Sequence, residues 1–334
     1  MSIRAIVAEH TGGPEVLRLA EVADPEPGPG ELLVETAAVG VNYIETYQRS
    51  GLYTVQFPFT PGSEACGVVV AIGGAADSTA ADIATGDIAV GDLVTTAEAR
   101  KTYAERFVVE ASRAVKVPDG ISADVAAAAS LQGLTAHYLA TSAAHPQPGD
   151  TVLVHAGAGG VGLLLTQLLV VRGVRVLTTA STPEKRELSL AAGASEALDY
   201  EGFAEEARRL TDGEGAAVVY DGVGASTFDD SLRALRVRGE MVLFGAASGP
   251  VPPFDLQRLN AGGSLTVTRP SLSHFLRTPE ERAWRYRELF DAITAGALDI
   301  RIGARFPLSE AAAAHTALEG RETTGKVILE SGAS

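Results

Sequence analysis

The pattern of apolar and polar positions changes near residue 125. Before that point, short runs rich in valine, isoleucine, threonine and aromatic residues alternate with turns rich in proline and glycine. Such runs are typical of strands, so this part of the chain predicts a β-rich domain. The predicted strands are Ile3–Glu9, Glu31–Val39, Gly67–Gly73, Asp92–Thr96 and Tyr103–Val109.

From Ser122 to about Ser264 the pattern predicts helices and strands in alternation, introduced by a helix over Leu131–Ala144. Alternation at this spacing indicates βαβ units and a parallel sheet with helices on both faces. The predicted elements are strand Thr151–His155, helix Gly160–Arg172, strand Arg175–Ala180, helix Pro183–Ala192, strand Glu196–Asp199, helix Phe203–Leu210, strand Ala217–Tyr220, helix Ser226–Leu235 and strand Glu240–Phe244.

The tail beyond Leu265 predicts a strand, helix Glu280–Ala295, a strand, helix Ser309–Glu319 and strand Lys326–Glu330. Its pattern leaves two placements open, because the tail could extend the parallel sheet or return to the β-rich domain. The segment Gly73–Gly91 is rich in alanine, aspartate, glycine and threonine, and predicts a long surface connection between strands.

Composition and charge narrow the classes of protein. A chain of 334 residues with 46% hydrophobic residues predicts about two globular domains. The net charge of −15 disfavours nucleic-acid partners. A single cysteine, Cys66, excludes an internal disulfide and suits the cytoplasm. We expect no signal peptide and no membrane span, because the most apolar long stretch, Val161–Val171, falls short of the roughly 18 residues that a span needs.

The strongest chemical signal is the run Gly157-Ala158-Gly159-Gly160-Val161-Gly162, which follows a predicted strand and opens a predicted helix. This G-x-G-x-x-G pattern is typical of dinucleotide binding. Its glycines allow a tight turn and close approach of a pyrophosphate, and the helix N-terminus offers N–H groups to the phosphates. The alternative is a glycine-rich turn without a ligand.

The residues after the next strand indicate which dinucleotide is bound. NAD-binding units usually carry an acidic residue there, but Thr178–Thr182 contains none. Ser181 and Lys185 suit a 2′-phosphate instead, and the chain has only four lysines. The pattern therefore favours NADPH over NAD, although Lys185 could also be an ordinary solvated helix residue.

Four further residues bear on the cofactor edge, and two of them, Asp221 and His155, have both a functional and a structural interpretation. Asp221 follows a predicted strand at the edge where a cofactor would lie, yet it equally suits a turn or a helix cap. Phe244 and Gly245 end another strand at that edge, where a glycine permits close approach of a ligand. His155 lies within the first strand of the alternating region, which favours a hydrogen-bonded core histidine over a catalytic one.

Several stretches together resemble the zinc-independent quinone oxidoreductase branch, the zeta-crystallin-like branch, of the medium-chain dehydrogenase/reductase superfamily. The resemblance covers nearly the whole chain and is specific in the order and spacing of its motifs. The stretches are Gly12–Leu17, Gly40–Ile44, Ser50–Tyr53, His155–Gly162, Val219–Asp221 and Thr268–Leu272.

The resemblance implies an α/β fold with a GroES-like β-rich catalytic domain, residues 1–125 and 266–334, and a Rossmann domain, residues 126–265. It also implies an NADPH cofactor in the cleft, a homodimer and a small-molecule quinone as substrate. Asn42 and Tyr47 resemble residues that face the nicotinamide and could act in catalysis. The other implied cofactor contacts are Ser63, Thr135, Gly159, Gly160, Val161, Ser181, Lys185, Tyr200, Phe244, Gly245, Arg269 and Arg321.

The sequence departs from the zinc-dependent relatives at the metal site. Those relatives carry a cysteine at the position of Asn42 and a histidine at that of Ser63, and the cysteine-rich structural-zinc loop is missing. Because a catalytic zinc site needs three protein ligands, no metal is expected, and alcohol dehydrogenase activity is disfavoured. An electron-poor acceptor such as a quinone fits, and an alkenal or enone is the alternative. An NADPH-binding sensor or a crystallin-like protein without catalysis also stays open.

Overall fold

The computed structural model describes residues 1–74 and 87–332, so most of the predicted Gly73–Gly91 connection lies outside the described part. The chain divides into two compact units. The first unit comprises Met1–Leu131, Thr278–Thr294 and Ile300–Ser334. The second unit comprises Gln132–Arg277 and Ala295–Asp299.

The elements are numbered in chain order over the described residues. The strands are β1 Ser2–Val7, β2 Arg18–Ala23, β3 Glu31–Val41, β4 Ala65–Ile72, β5 Leu93–Thr96, β6 Arg106–Glu110, β7 Val115–Lys116, β8 Thr151–Val154, β9 Arg175–Thr179, β10 Glu196–Leu198, β11 Ala216–Asp221, β12 Leu235–Leu243, β13 Thr266–Thr268, β14 Ile302–Pro307 and β15 Lys326–Glu330. The helices are α1 Tyr43–Ser50, α2 Ala123–Tyr138, α3 Gly160–Val171, α4 Pro183–Ala191, α5 Phe203–Arg209, α6 Phe228–Ala234, α7 Gln257–Ala261, α8 Pro279–Thr294 and α9 Ala311–Glu319.

The first unit is built around the long strand β3. It pairs antiparallel with β4, β6 and β15 in a seven-stranded sheet. Six of the strands follow the order β14-β15-β3-β4-β5-β7, the seventh, β6, pairs with β3 outside this order, and β1 and β2 form a separate hairpin. Leu32, Val34, Val39 and Val41 of β3 are buried in one apolar cluster. Strands β14 and β15 thus return the end of the C-terminal tail to this unit, which is one of the two placements that the pattern left open.

The second unit holds a six-stranded parallel sheet in the order β10-β9-β8-β11-β12-β13. This is the doubly wound order, in which the crevice at the carboxyl ends of β8 and β11 marks the reversal of winding. Leu153, Leu177, Val219 and Met241, from four strands adjacent in the sheet, are buried in its core. The predicted parallel sheet is confirmed.

Several predicted elements differ from the observed ones. The β-rich part contains a helix, α1, that the strand-like pattern did not predict, and two further strands, β2 and β7. Helix α2 begins eight residues earlier than predicted, at Ala123, and passes into a π-helical turn at Leu139–Ala143. Strand β12 begins at Leu235, five residues before the predicted start, because the preceding helix α6 already ends at Ala234.

Strand β13 changes the expected domain limits. Residues from 266 onward were expected to belong to the β-rich domain, but Thr266–Thr268 pairs in parallel with β12 and lies in the second unit. The chain returns to the first unit only at Thr278. The limits 125/126 and 265/266 stay predictions of the domain organisation, with this strand as their exception.

No helix among the described residues is both long and apolar enough to cross a membrane.

Candidate functional site

The glycine-rich turn in the second unit joins β8 to α3. Gly157 lies so close to β9 that a Cβ would come within 2.5 Å of Thr178, and a Cβ on Gly162 would lie 2.3 Å from the carbonyl oxygen of Ala156. A side chain at Gly162 could not be accommodated without moving backbone, and one at Gly157 would collide with the side chains of Thr178 and Ser189. The turn therefore requires its glycines for close packing of strand and helix, as a dinucleotide-binding turn does.

The N-terminus of α3 is suited to an anion. Its N-cap, Gly159, has no side chain to bond the first-turn N–H groups, and the twelve-residue helix carries no acidic residue in its first turn. The N–H groups of Gly160 and Val161 lie among those a helix leaves unpaired. Together with the positive end of the helix dipole, they fit a pyrophosphate.

Residues at the carboxyl end of β9 form the next part of the candidate cofactor site. Ser181 is exposed and Lys185 lies half-buried in the first turn of α4, which Thr182 caps by accepting a hydrogen bond from the Lys185 N–H at 3.3 Å. Arg186 reaches back to the carbonyl oxygen of Ala180 at 3.3 Å and to Asp199 at 2.9 Å. The carboxyl end of β9 thus has two cationic residues beside it, and β9 itself contributes no carboxylate.

Tyr200 contacts the turn directly. Its hydroxyl accepts a hydrogen bond of 3.1 Å from the backbone N–H of Ala156, and its ring stacks on that of His155 with 6.1 Å between centroids. Ala156 has a positive φ of 53°, a strained conformation for a residue with a side chain. Tyr200 therefore lies next to the turn and also stabilises its backbone.

His155 and Asp221 form a buried polar cluster behind the turn. The ring of His155 bonds Thr179 at 2.8 Å and Ser231 at 2.9 Å. Asp221 accepts hydrogen bonds from the N–H groups of Val223 and Gly224, and from the hydroxyls of Thr227 and Ser231. Burial lowers the pKa of His155 and outweighs the attraction of Asp221. The structural interpretations of both residues are confirmed: a core histidine and a turn carboxylate.

Phe244 and Gly245 pack against the loop after β11. A Cβ on Gly245 would lie 2.4 Å from the carbonyl oxygen of Gly222, and one on Gly222 would meet the Phe244 ring at 2.8 Å. Thr135 is buried in α2, and Arg269 is exposed after β13. Their contact with a cofactor stays a prediction.

The first unit brings Asn42 and Ser63 together around Glu45. Asn42 caps α1 with an extended backbone, and its N–H donates to the Glu45 carboxylate at 2.8 Å, which completes a capping box. The Ser63 hydroxyl donates to the other Glu45 oxygen at 3.3 Å. Complete burial raises the pKa of Glu45 to about 7, against the opposing attraction of Lys326.

A buried ion pair lies on the other side of Asn42. Lys326 of β15 pairs with Glu64 and also donates to the Asn42 side-chain oxygen at 2.6 Å. Glu64 accepts a hydrogen bond from the Asn42 side-chain nitrogen at 2.9 Å, and its second oxygen accepts one from the N–H of Leu131. The Asn42 amide is therefore held at both ends.

Tyr47 and Arg321 lie elsewhere in the first unit. Tyr47 projects from α1 into an aromatic cluster, with its ring edge-on to Tyr53 at 5.5 Å and tilted against Tyr43 at 6.2 Å. Arg321 is exposed after α9 and has a positive φ of 57°. The roles of Tyr47 and Arg321 at a cofactor stay predictions.

The donor set around Asn42 does not fit a zinc ion. An amide, a hydroxyl and two carboxylates surround it, and one carboxylate is neutralised by the Lys326 ammonium. A divalent cation would have to displace that ammonium or lie beside it. No group of three histidine, cysteine, aspartate or glutamate residues with metal-binding geometry occurs within residues 1–74 and 87–332. Cys66 is buried, which raises the pKa of its thiol.

Three functional candidates were missed by sequence reasoning. Lys326 and Glu64 meet only through pairing of β15 with β3 and of β3 with β4, so no local pattern connects them. Arg186 directly follows Lys185 in the sequence, and this position near the start of α4 was the available signal for a second cationic residue.

The comparisons with known proteins cover both units. Residues 28–148 match the alcohol dehydrogenase GroES-like domain, and residues 160–289 match the family described as zinc-binding dehydrogenase. The chain is 43% identical to a quinone oxidoreductase of Pseudomonas aeruginosa over 95% of this chain and 96% of that protein.

Two further relatives bear on cofactor and substrate. A mycobacterial protein solved as a complex with NADPH is 54% identical, with a TM-score of 0.93 over 98% of this chain and 99% of that one. A 2-haloacrylate reductase from a Burkholderia species is 36% identical, over 98% of each chain. The predicted combination of a GroES-like domain with a Rossmann domain is confirmed.

Proposed function

This chain belongs to the quinone oxidoreductase family of the medium-chain dehydrogenases/reductases, and we propose that it transfers a hydride from NADPH to a quinone without a metal ion. The observation that carries the proposal is the turn Gly157–Gly162, which fits a pyrophosphate at the uncapped N-terminus of α3. The NADPH complex of the mycobacterial relative supports the choice of cofactor.

The cofactor-binding residues divide by the part of NADPH they would hold. Gly159, Gly160 and Val161 would bind the pyrophosphate through backbone N–H groups. Ser181 and Lys185 would bind the 2′-phosphate, with Arg186 as a further cation, and Tyr200 would lie beside the adenosine ribose. Asn42, Ser63, Thr135, Phe244, Gly245, Arg269 and Arg321 are proposed contacts of the remaining parts.

When bound, NADPH supplies the hydride from its nicotinamide ring. The chain's own residues orient the two reactants and exclude water between them. As the acceptor oxygen gains negative charge, the Asn42 side-chain N–H or the Tyr47 hydroxyl would donate a hydrogen bond to it, which stabilises that charge. The proton that completes the product comes from Tyr47 or from solvent.

The proposal of a metal-free reaction rests on the chemistry of the Asn42 cluster. The Lys326 ammonium already neutralises Glu64, and neither Asn42 nor Ser63 offers the anionic or imidazole ligand that zinc prefers. A quinone is electron-poor and accepts a hydride without Lewis-acid activation. An unactivated alcohol or ketone would need the metal.

A second candidate function is reduction of an activated carbon–carbon double bond. The relative named 2-haloacrylate reductase supports it, since its substrate class differs from quinones but shares their electron deficiency. The same hydrogen-bond donors would serve an enone oxygen. The shape of the acceptor site decides between the two.

We further propose a homodimer that acts in the cytoplasm. Strand β13 forms one edge of the parallel sheet, and an edge strand presents unpaired backbone groups that a second copy can use. The lone, buried Cys66 suits a reducing compartment. Light scattering on a size-exclusion column measures the mass, and a mass of one chain would contradict the dimer.

The test of function is oxidation of NADPH by the purified protein with a panel of acceptors. We expect rapid turnover with 1,4-benzoquinone and slower turnover with 2-alkenals. Turnover only with alkenals or haloacrylates would assign the second function. Tight NADPH binding without turnover on any acceptor would contradict the enzyme and favour an NADPH-binding sensor or a crystallin-like role.

A further inference from the structure

The side chain of Asn42 is held between two opposite charges. Its oxygen accepts a 2.6 Å hydrogen bond from the Lys326 ammonium, and its nitrogen donates a 2.9 Å hydrogen bond to the Glu64 carboxylate. Both charged side chains are buried, at 1% and 0% exposure. Few surface asparagines have such constraints, because water can satisfy either orientation of an amide.

The two charges permit only one orientation of the amide. An ammonium can only donate and a carboxylate can only accept, so a reversed amide would point N–H groups at Lys326 and oxygen at Glu64. Both contacts would then be repulsive. The pair therefore assigns the amide oxygen and nitrogen of Asn42 without ambiguity.

The amide nitrogen carries a second hydrogen that Glu64 does not use. Donation from the ammonium to the amide oxygen draws electron density from the nitrogen and strengthens that second N–H as a donor. The chain thus has a pre-oriented, polarised donor at a residue proposed to face the reacting carbonyl.

The pair has no evident advantage for stability. Burying two charges costs desolvation energy that their attraction only partly recovers, and apolar replacements of buried ion pairs are often neutral or stabilising. The backbone also makes room for them, since a Cβ on Gly40 would lie 1.9 Å from Glu64 and 2.8 Å from Lys326. A function in orienting Asn42 accounts for this arrangement.

We propose that Lys326 and Glu64 are positioning residues, which hold the Asn42 amide so that its free N–H donates to the acceptor's carbonyl oxygen. The inference rests on the proposed hydride transfer for its kinetic consequence, but the orientation of the amide can be measured without turnover.

The kinetic test uses the paired variant Lys326→Met/Glu64→Gln, which removes both charges and so leaves neither one buried alone. We expect its kcat with benzoquinone to fall about 10- to 100-fold. Asn42→Ala should lose a similar factor. Lys116→Met, at a lysine paired with Asp92 on the surface, is the matched control and should leave kcat unchanged.

Combining the changes separates positioning from a merely structural role. If the pair acts through Asn42, adding Lys326→Met/Glu64→Gln to Asn42→Ala should lower kcat no further. If kcat of the combined variant falls by the product of the two separate factors, the proposal is overturned. Unchanged kcat in the paired variant would also overturn it.

The spectroscopic test exploits the two asparagines of the chain, Asn42 and Asn260. With ¹⁵N-asparagine labelling, only two side-chain amides appear in the proton–nitrogen spectrum, and exposed Asn260 is the internal reference. We expect the Asn42 amide protons to exchange slowly and to resonate far apart, and the paired variant to shift that signal while Asn260 stays in place.

The two readouts distinguish the failures. Absence of quinone turnover in the parent protein, with the Asn42 signal as expected, would contradict the proposed function and leave the oriented amide standing. An Asn42 signal that resembles Asn260, or one that the paired variant leaves unshifted, would overturn the positioning role whatever the turnover.

Discussion

Replacing Glu45 by glutamine should stabilise the protein increasingly as the pH rises. Glu45 is completely buried, and burial raises its pKa from an ordinary 4.5 to about 7, with Glu64 adding to the rise and Lys326 opposing it. In the unfolded chain the carboxyl group loses its proton near pH 4.5. The folded protein keeps the proton until about pH 7, so it binds more protons than the unfolded chain between these values.

The size of the effect follows from proton linkage. Stability falls with rising pH wherever the folded state binds more protons, and each tenfold difference in proton affinity is worth about 1.4 kcal/mol. The rise from 4.5 to about 7 therefore destabilises the fully ionised folded state by about 3 kcal/mol. Between pH 5.5 and 8.5 the loss amounts to about 2 kcal/mol, because part of it has occurred below pH 5.5.

Glu45→Gln keeps the shape of the side chain and removes the titration. Its amide oxygen can accept the Asn42 N–H, and its amide nitrogen can donate to the Ser63 hydroxyl. Urea unfolding at pH 5.5 and 8.5 gives the free energy of unfolding of both proteins. The advantage of the variant over the parent should grow by about 2 kcal/mol between the two pH values.

Glu105→Gln is the control, because the pKa of Glu105 is shifted in the opposite direction to that of Glu45. A hydrogen bond from the backbone N–H of Arg4 lowers the pKa of Glu105, so this carboxylate is ionised in both states throughout pH 5.5 to 8.5. Its replacement should change stability by the same amount at both pH values. If the difference in the free energy of unfolding between Glu45→Gln and the parent is the same at both pH values, burial does not raise the pKa of Glu45.

Two substitutions test the cofactor site. Gly162→Ala places a methyl group 2.3 Å from the Ala156 carbonyl oxygen and should weaken NADPH binding at least tenfold in a fluorescence titration. Gly74→Ala should bind normally, because among the described residues other than its chain neighbours none lies within 4 Å of the added carbon. Equal affinities of the two variants would contradict the role of the turn. Lys185→Ala should raise the Kd for NADPH about 10- to 100-fold and leave the Kd for NADH nearly unchanged. An equal rise in both Kd values would show that Lys185 does not bind the 2′-phosphate.

The second unit was predictable because its signals are local. The glycine run, the alternating strands and helices and the carboxylate-free end of β9 each lie within a few residues of one another. His155 and Asp221 were placed by the same reasoning, since a residue in a central parallel strand must find partners inside the sheet. The resemblance implied that residues from 266 onward belong to the β-rich domain, and the three residues of β13 carry too little pattern to show which sheet they join.

The first unit was predicted less completely because its key contacts are long-range. Glu64 and Lys326 are 262 residues apart and meet through two strand pairings. Helix α1 is short and lies beside a valine-rich strand, so its only local signal was the capping pair Asn42 and Glu45. The sequence indicated Asn42 as a candidate, but the charges that orient its amide could be found only in the folded chain.

Metal-free hydride transfer from NADPH to a quinone can be tested in a single assay. Protein dialysed against EDTA and verified free of zinc by mass spectrometry is mixed with benzoquinone and either NADPH or NADH, and cofactor oxidation is followed at 340 nm. We expect full turnover with NADPH, much slower turnover with NADH and no gain when zinc is added back. Activity that is lost with EDTA and restored by zinc would contradict a metal-free reaction.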